Sequence, residues 1–301
     1  MATLKDIAQR AGVTATTVSR VINNRGYISE GTRKKVYAAM EEMHYQPNEL
    51  ARAFSKQYTN TIGLIVPHIS HPFFIKVISN LESSAAEKGF KLLLCNSKEQ
   101  PEKEQDYLDM CISNRVAGIV LCSKYVQTRE FRKMNIPVVN LERGGDDDTI
   151  SVQCDNYQGG KLAAEHLIEC GCKNLLHFGG VAGKDMPADR RADGFSDVCK
   201  KAGIPYRILV SDRLQYGSMH YEDFIRRALQ EFPDVDGIFA SSDLIASQVI
   251  QVGAQMDKHV PEDIQLVGFD DVMISTVTTP QITTIHQPVE EMTELCVEYI
   301  A

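Results

Sequence analysis

Thr3-Leu-Lys-Asp-Ile-Ala-Gln-Arg-Ala-Gly-Val-Thr-Ala-Thr-Thr-Val-Ser-Arg-Val-Ile-Asn23 is the most informative segment of the chain. Apolar residues recur at three- and four-residue spacing on both sides of Gly12, a pattern typical of two amphipathic helices that share one core. Thr3 and Thr14 stand where an N-cap is expected, one before each helix. We therefore expect two short helices joined by a turn at Gly12.

The outward side of the second predicted helix carries small polar residues and one arginine. Ala15 and Thr16 allow the helix backbone to enter a DNA major groove closely, and Arg20 can bond guanine there. Threonine and serine hydroxyls suit phosphate oxygens. An ordinary helical hairpin with a polar face is the alternative to a helix-turn-helix that reads DNA. The predicted DNA contacts are Thr14, Ala15, Thr16, Thr17, Ser19, Arg20 and Asn23.

Charge is distributed unevenly along the chain. Residues 1–60 contain nine Lys and Arg against five Asp and Glu, whereas the other residues contain 23 against 35. A basic head on an acidic body concentrates the attraction for phosphate in one place. The net charge of −8 is therefore compatible with nucleic-acid binding by the head.

The length of 301 residues predicts two or three domains. The N-terminus lacks the apolar stretch of a signal peptide, and apolar runs such as 62–66 are too short to span a bilayer. We expect a soluble, cytoplasmic protein with no membrane partner. The eight cysteines show no C-x-x-C spacing, and the acidic run Asp146 to Asp148 lacks the spacing of a calcium loop. No disulfide, metal site or cofactor is expected.

A third helix is predicted from Glu30 to His44, and it completes an all-α head. The segment Tyr45-Gln-Pro-Asn-Glu-Leu-Ala-Arg-Ala-Phe-Ser-Lys56 follows it and is helix-prone between a proline and a polar run, which favours a hinge helix. We place the head at residues 1–46, the hinge and linker at 47–60, and a larger domain at 61–301. The side chains of the third helix expected to face inward are Val36, Tyr37, Met40 and Met43.

From Thr61 onward, short apolar runs alternate with helical stretches. Continuous apolar runs of four to eight residues between helices are typical of parallel strands buried on both faces. The sequence therefore predicts an α/β body of two lobes, and ligands of such sheets bind beyond the carboxyl ends of the strands. The predicted strands lie at 62–66, 90–95, 118–122, 138–141, 174–178, 207–210, 237–240 and 264–268.

Polar and aromatic residues just after the predicted strands are the candidate ligand contacts. Aromatic faces stack on the C–H surface of a sugar, and carboxylates and guanidinium groups bind its hydroxyls, so the set suits a polyol. Asp155 heads a helix, and a cap and a ligand contact are equally open for it. The candidates are His71, Phe73, Phe74, Asn96, Ser123, Glu142, Asp155, Arg191, Ser242, Asp243 and Asp270.

Sequence motifs of common α/β enzymes are absent. No G-x-G-x-x-G follows a strand, no G-x-S-x-G occurs, and the glycine-rich segment 179–185 lacks the spacing of a phosphate-binding loop. We expect no enzyme. A sugar-binding transport receptor with the same two lobes is the alternative from another class, but it would need a signal peptide in place of the basic head.

The head motif and the following Tyr45-Gln-Pro-Asn-Glu-Leu-Ala-Arg52 resemble the LacI/GalR family of bacterial transcription regulators, and the resemblance extends over nearly the whole chain. It implies a homodimer on palindromic operator DNA, and two lobes of the periplasmic sugar-binding fold between which the chain crosses three times. It also implies hinge contacts with DNA, assigned here to Ala51, Arg52 and Phe54. Phe54 stands where the family usually has a leucine that wedges into the minor groove. Packing of Phe54 against the body is the alternative.

The resemblance also bears on the ligand contacts. Arg191 in Arg191-Ala-Asp-Gly-Phe195 matches the family arginine that contacts the effector, and Asp270 in Val267-Gly-Phe-Asp-Asp271 matches the effector-binding acid. His71 and the serine before Asp243 stand where members often carry asparagine. His71 is therefore expected to help distinguish the effector, or else to be a surface loop residue.

The function that the resemblance implies is repression of a sugar-utilisation operon, relieved by a small sugar or sugar phosphate. A purine co-repressor or a phosphoprotein partner is the rarer case in the family. Members usually continue past the helix expected at 289–301 into a further strand and a tail. We therefore expect the C-terminal end to be truncated relative to the family.

Overall fold

The computed structural model of the protein describes residues 2–45, 58–123, 136–144, 149–181 and 186–301. The chain falls into two units, residues 1–60 and residues 61–301. The predicted hinge contacts Ala51, Arg52 and Phe54 lie outside the described residues, as does the acidic run Asp146 to Asp148. In the parts that the structure describes, no helix is long and apolar enough to cross a membrane.

Three helices are described in the first unit. The Thr3 side chain accepts a hydrogen bond from the Asp6 backbone, and the Asp6 carboxylate accepts one from the Thr3 backbone, which closes a capping box. The first helix ends at Gly12, whose φ of +67° suits glycine. Thr14 caps the second helix by accepting from the Thr17 backbone at 3.1 Å. The helices are α1 (Leu4–Ala11), α2 (Ala15–Ile22) and α3 (Glu30–Glu42).

The three helices share one core. Ile7, Val18 and Val36 are fully buried in it, and Met40 and Met43 pack against it. The expectation that Tyr37 faces inward was wrong, since half of this side chain is exposed. The helical period explains the error: positions 36, 39, 40 and 43 share a face of α3, while position 37 lies about 100° from position 36.

The second unit contains two five-stranded sheets, and every described strand pair is parallel. The first sheet, of order β2-β1-β3-β4-β5, consists of β1 (Thr61–Val66), β2 (Lys91–Asn96), β3 (Gly118–Leu121), β4 (Val138–Leu141) and β5 (Ile150–Val152). The second sheet, of order β10-β9-β8-β6-β7, consists of β6 (Leu175–Val181), β7 (Tyr206–Ser211), β8 (Gly237–Ala240), β9 (Gln265–Asp270) and β10 (Thr283–His286).

Helices complete two lobes. The first lobe is built on the first sheet with α4 (Pro72–Glu87), α5 (Pro101–Ser113) and α12 (Val289–Ile300). The second lobe is built on the other sheet with α6 (Asn156–Glu169), α7 (Arg190–Ala202), α8 (Arg213–Ser218), α9 (Glu222–Glu231), α10 (Asp243–Gln255) and α11 (Met273–Val277). The chain enters the second lobe after β5 and returns after β10, where Cys296 and Val297 of α12 are buried with Ile62 of β1. The described residues thus contain two of the three crossings that the resemblance implied.

Four short elements were not expected from the sequence: β5, β10, α8 and α11. None is longer than six residues, so periodicity has too few residues to reveal them. β5 and β10 form edge strands, each paired with a single neighbour, β4 and β9 respectively. Their assignment depends on pairing with residues elsewhere in the chain.

Two glycines bring α6 and α7 unusually close together. A Cβ atom at Gly160 would lie 2.0 Å from the carbonyl oxygen of Arg191, and one at Gly194 would lie 2.0 Å from that of Tyr157. No other residue can occupy these positions without moving a backbone. This helix contact fixes the first turn of α7, which carries Arg191.

Candidate functional site

A cavity of about 700 Å³, counted with its opening to solvent, lies between the two lobes. Both lobes contribute to its wall, at the carboxyl ends of their strands. The predicted contacts that line it are His71, Phe73, Phe74, Glu142, Arg191, Ser242 and Asp270.

Arg191 is the charged donor among the described residues of the wall, and its side chain is held in one orientation. Nε donates to Oδ1 of Asn156 at 2.7 Å, and Nη1 donates to the carbonyl oxygen of Ser241 at 2.6 Å. The guanidinium carbon lies 3.5 Å from the centroid of the Phe269 ring, a cation–π contact. Arg191 is buried, and its positive charge is compensated by these contacts and by Asp270. Oδ1 of Asp270 lies 4.0 Å from Nη1 of Arg191.

Asp270 ends β9 and is buried. Burial raises the pKa of its carboxyl to about 7, and the charge of Arg191 opposes this rise. Oδ1 accepts a hydrogen bond from Nε2 of Gln287 at 2.6 Å. Oε1 of Gln287, which is also buried, finds no partner among the described residues. A buried acceptor without a hydrogen bond costs free energy, so this part of the wall favours a ligand that donates hydrogen bonds.

Glu142 connects the two lobes beside the cavity. It follows β4 in the first lobe, and its Oε2 accepts from Nδ2 of Asn156, the first residue of α6, at 3.0 Å. Its Oε1 accepts from the backbone of Cys154 at 2.6 Å. Because Asn156 also accepts from Arg191, one hydrogen-bonded chain runs from Glu142 to Arg191. The position of the first lobe is thus coupled to Arg191, the charged donor of the second lobe.

The opposite wall is aromatic. Phe73 and Phe74 lie in the first turn of α4 with ring centroids 5.3 Å apart. His71 caps this helix, since its Nδ1 accepts from the Phe73 backbone at 3.3 Å. Burial, with smaller contributions from His68 and Arg191, lowers the pKa of His71 to about 4, so the ring is neutral at physiological pH. His71 is therefore a buried residue of the cavity wall, and the surface-loop alternative was wrong.

Four predicted contacts do not line this cavity. The Asp243 carboxylate is occupied on both sides, since Oδ2 accepts from the Val272 backbone at 2.9 Å and Oδ1 from the Thr284 hydroxyl at 2.5 Å. It holds the loop after β9 in place. Asp155 caps α6 by accepting from the Gln158 backbone at 2.9 Å, which is the capping alternative. The remaining two are Asn96, which ends β2, and Ser123, which lies two residues after the end of β3.

Several residues of the cavity wall are not predicted from the sequence. Gln287 directly follows β10, so recognition of this strand would have marked it as a candidate by the same rule that marked Asp270. Tyr216 lies on α8, the helix without a periodic signal, and its ring centroid is 6.5 Å from that of His71. Ser241, Tyr221 and Met186 also line the cavity.

Five of the seven predicted DNA contacts of the head lie along one side of α2. The residues at 15, 16, 19, 20 and 23 follow the helical period, and Thr16 and Arg20 are exposed. The Thr14 hydroxyl is partly engaged as the cap. Nδ2 of Asn23 donates to the carbonyl oxygen of Ser19 at 2.8 Å, which uses part of its donor capacity. Arg20 is therefore available at the surface of α2, and its contact with a DNA groove stays a prediction.

Comparison with known protein families covers both units. Residues 3–48 match the bacterial regulatory proteins of the lacI family, and residues 59–295 match the periplasmic binding proteins and sugar binding domain of the LacI family. The chain belongs to the LacI family. The expected fold class, a helix-turn-helix head and a two-lobed α/β domain like the periplasmic binding proteins, is confirmed.

Individual members of the LacI family are similar over almost the whole chain. The ribose operon repressor of Halalkalibacterium halodurans is 35% identical over 292 residues, which cover 97% of this chain and 87% of the relative. The sucrose operon repressor of Pediococcus pentosaceus is 35% identical over 303 residues, which cover 99% and 90%. The HTH-type transcriptional repressor PurR of Actinobacillus pleuropneumoniae is 36% identical over 297 residues, which cover 95% and 86%.

A solved structure agrees with the two-lobed body of this LacI-family chain. It is a periplasmic binding protein/LacI transcriptional regulator from Alkaliphilus metalliredigens, complexed with D-xylulofuranose. The two chains are 31% identical with a TM-score of 0.71, and the match covers 80% of this chain and 90% of the other.

Proposed function

We propose that the protein is a homodimeric repressor that binds palindromic operator DNA in the cytoplasm and is released by a sugar bound between its lobes. The observation that carries the proposal is the buried set of Arg191, Asp270 and Gln287 opposite an aromatic wall. Sugar hydroxyls both donate and accept hydrogen bonds, and the C–H faces of the ring stack on aromatic side chains. The names of the ribose and sucrose repressors among the relatives support the same ligand class.

The charges of the wall favour an unphosphorylated sugar. Among its described residues the charge of Arg191 is opposed by the carboxylate of Glu142 and by Asp270, which is about half ionised near pH 7, and His71 is neutral. A phosphate group would bring further negative charge against these acids. Hydroxyls can instead donate to the two carboxylates and to Oε1 of Gln287.

Release from DNA follows from the position of the cavity. A sugar that contacts both lobes binds more tightly at one spacing of the lobes than at another. This difference in binding free energy is the coupling energy that can act on the head. The LacI-family head favours a regulator over a transport receptor or an enzyme, because neither of the latter needs a helix-turn-helix. We expect the lobes to control how two copies of the head meet the two halves of the operator.

Operator titration tests the proposal. A palindromic operator selected from random DNA would be labelled, and its binding followed by fluorescence anisotropy with D-ribose, D-xylulose, sucrose and their phosphates. One free sugar is expected to weaken operator binding by about 10- to 100-fold, a typical allosteric coupling. Tighter binding with any of these compounds would indicate co-repression, and no change with any of them would contradict a sugar effector.

Substitution of Arg20 tests the DNA-reading helix. Arg20→Ala is expected to cost about 1 to 3 kcal/mol, and only on operators that keep the guanine it contacts. Anisotropy on a set of operators with single base-pair changes would identify that position. As a control, Arg33→Ala removes one positive charge from α3, and it should weaken binding to all operators alike. If Arg20→Ala also weakened all operators equally, Arg20 would be a phosphate contact instead.

The raised pKa of Asp270 predicts how sugar binding depends on pH. A hydroxyl donates to the ionised carboxylate, so affinity should rise about tenfold from pH 6 to pH 8 as the ionised fraction grows from about a tenth to about nine tenths. Isothermal titration calorimetry in two buffers of different ionisation enthalpy should show proton release near pH 7. Asp270→Asn should remove the pH dependence. An unchanged wild-type affinity over this range would place the Asp270 carboxyl away from the sugar.

The same group affects stability with a defined sign. Because the pKa of Asp270 is higher in the folded chain than in the unfolded chain, its contribution is most favourable below the ordinary carboxyl pKa. That contribution is lost as the pH rises through about 7. A bound sugar that donates to the carboxylate should offset this loss.

A further inference from the structure

Lys76 joins the two lobes from outside the cavity wall. It lies on α4 of the first lobe, two residues after Phe74, and its Nζ donates to the carbonyl oxygen of Asp271 at 2.8 Å. Asp271 belongs to the second lobe and directly follows the cavity residue Asp270. Lys76 is absent from the residues that line the cavity. It therefore bridges the lobes beside the ligand space without facing it.

The acceptor of this bond is held firmly. Asp271 has a φ of +51°, and its Oδ2 lies 2.7 Å from Nδ1 of His286. On either side of it, Asp270 is bonded to Gln287, and the backbone of Val272 is bonded to Asp243. The Asp271 carbonyl oxygen thus has a fixed position relative to the floor of the cavity, and movement of the lobes must break its bond to Lys76.

Lys76 lies close enough to acidic groups of the second lobe to interact with them electrostatically. The Asp271 residue supplies a carbonyl oxygen and, on its side chain, a carboxylate. The charge of Lys76 also acts on Asp243, where it opposes the burial that raises the carboxyl pKa to about 6. Lys76 is only partly buried, so it retains part of its hydration while making a charge-assisted bond.

A second contact closes the cleft at its aromatic side. The ring of Tyr216 in the second lobe meets the ring of His68 in the first lobe edge to face, with centroids 5.5 Å apart. Such ring pairs contribute less than a hydrogen bond to a charged group. The Lys76 bond is therefore the stronger of these two contacts, and the Tyr216 contact can report on its state.

We propose that Lys76 is a positioning residue that holds the two lobes closed over the cavity. Through this closure it sets the affinity for the effector without touching the effector. The second statement rests on the proposed function, whereas the closure itself does not depend on any ligand. Loss of one charge-assisted hydrogen bond of ordinary strength should shift the ratio of closed to open lobes about tenfold.

A fluorescence experiment on the full chain tests the closure without ligand. The sequence contains no tryptophan, so Tyr216→Trp introduces a single tryptophan at the His68 contact. In this background Lys76→Met keeps the length of the side chain and removes its donor. We expect red-shifted tryptophan emission and a clear rise in quenching by acrylamide, because the indole ring leaves His68 and meets water.

Two further variants separate closure from other effects. Lys88→Met removes a positive charge from the exposed C-terminal end of the same α4 helix, and it should leave emission and quenching unchanged. Lys76→Arg retains a donor and should restore much of the wild-type signal. A purely structural role would lower the urea midpoint of Lys76→Met without changing the emission of the folded protein. That result, or equal quenching with and without Lys76, would overturn the proposal even if a sugar effector is confirmed.

Discussion

Replacing Arg191 with alanine is expected to abolish the response to the sugar while operator binding is retained. The side chain supplies the charged donor of the described cavity wall, and its loss leaves Oδ1 of Asn156 and the carbonyl oxygen of Ser241 without their donor. Removal of one partner from a buried charged set costs about 2 to 5 kcal/mol, so sugar affinity should fall by about a hundredfold or more. Operator anisotropy titrated with sugar measures both properties in one experiment.

A lysine variant separates binding from folding at this position. The contacts of Arg191 also tie α7 to α6 and to the end of β8, so the alanine variant should unfold at a lower urea concentration. Arg191→Lys keeps a positive charge but lacks the planar fork that satisfies two acceptors. It should fold nearly as well as wild type and still respond only at much higher sugar concentration. A normal dose response in the alanine variant would remove Arg191 from the site.

Gly160→Ala is expected to cause a large loss of stability in the second lobe. The new Cβ atom would lie 2.0 Å from the carbonyl oxygen of Arg191, which is backbone and cannot rotate away. The helices α6 and α7 must separate, and overpacking of this kind costs about 3 kcal/mol. Urea unfolding followed by circular dichroism should show a markedly lower midpoint.

Gly217→Ala provides the matched control. A Cβ atom at Gly217, which also lies in a helix of the second lobe, would meet nothing within 4 Å. This variant should differ from wild type by no more than about 0.5 kcal/mol. Equal stability of both alanine variants would mean that α6 and α7 are further apart than the structure indicates. Any folded Gly160→Ala protein should also lose sugar affinity, because Asn156 and Arg191 lie on the separated helices.

The sequence predicts the head almost completely because its signals are local. Thr3, Thr14 and Gly12 mark helix ends within a few residues of the groups they bond, and the apolar period identifies the core. Eight of the ten described strands are predicted for the same reason, and the edge strands β5 and β10 are the exceptions. Tyr37 shows the limit of this approach, since a hydrophobic residue one position away from the buried face is easily assigned to it.

The ligand site shows where local signals end. Asp243 follows β8 closely and Asp270 ends β9, so the two look equivalent in the sequence. Yet Asp243 is bonded to Val272 and Thr284, whereas Asp270 faces the cavity. Gln287 was missed because the strand before it is four residues long and exists only as an edge partner of β9. Motif similarity identified Arg191, but not the glycine contact that holds it.

By itself, then, the sequence determined the helix-turn-helix head, the two α/β lobes and the residue types at the strand ends, because caps and periodicity act between near neighbours. Only the tertiary structure decided which polar side chains are free to meet a ligand and which are already bonded to distant parts of the chain. Lys76 and Asp271 make this plain, since the bond that joins the lobes links residues 195 positions apart. The packing of the two lobes determines hydrogen-bond partners of this kind. That packing produces no recognisable sequence pattern around either residue.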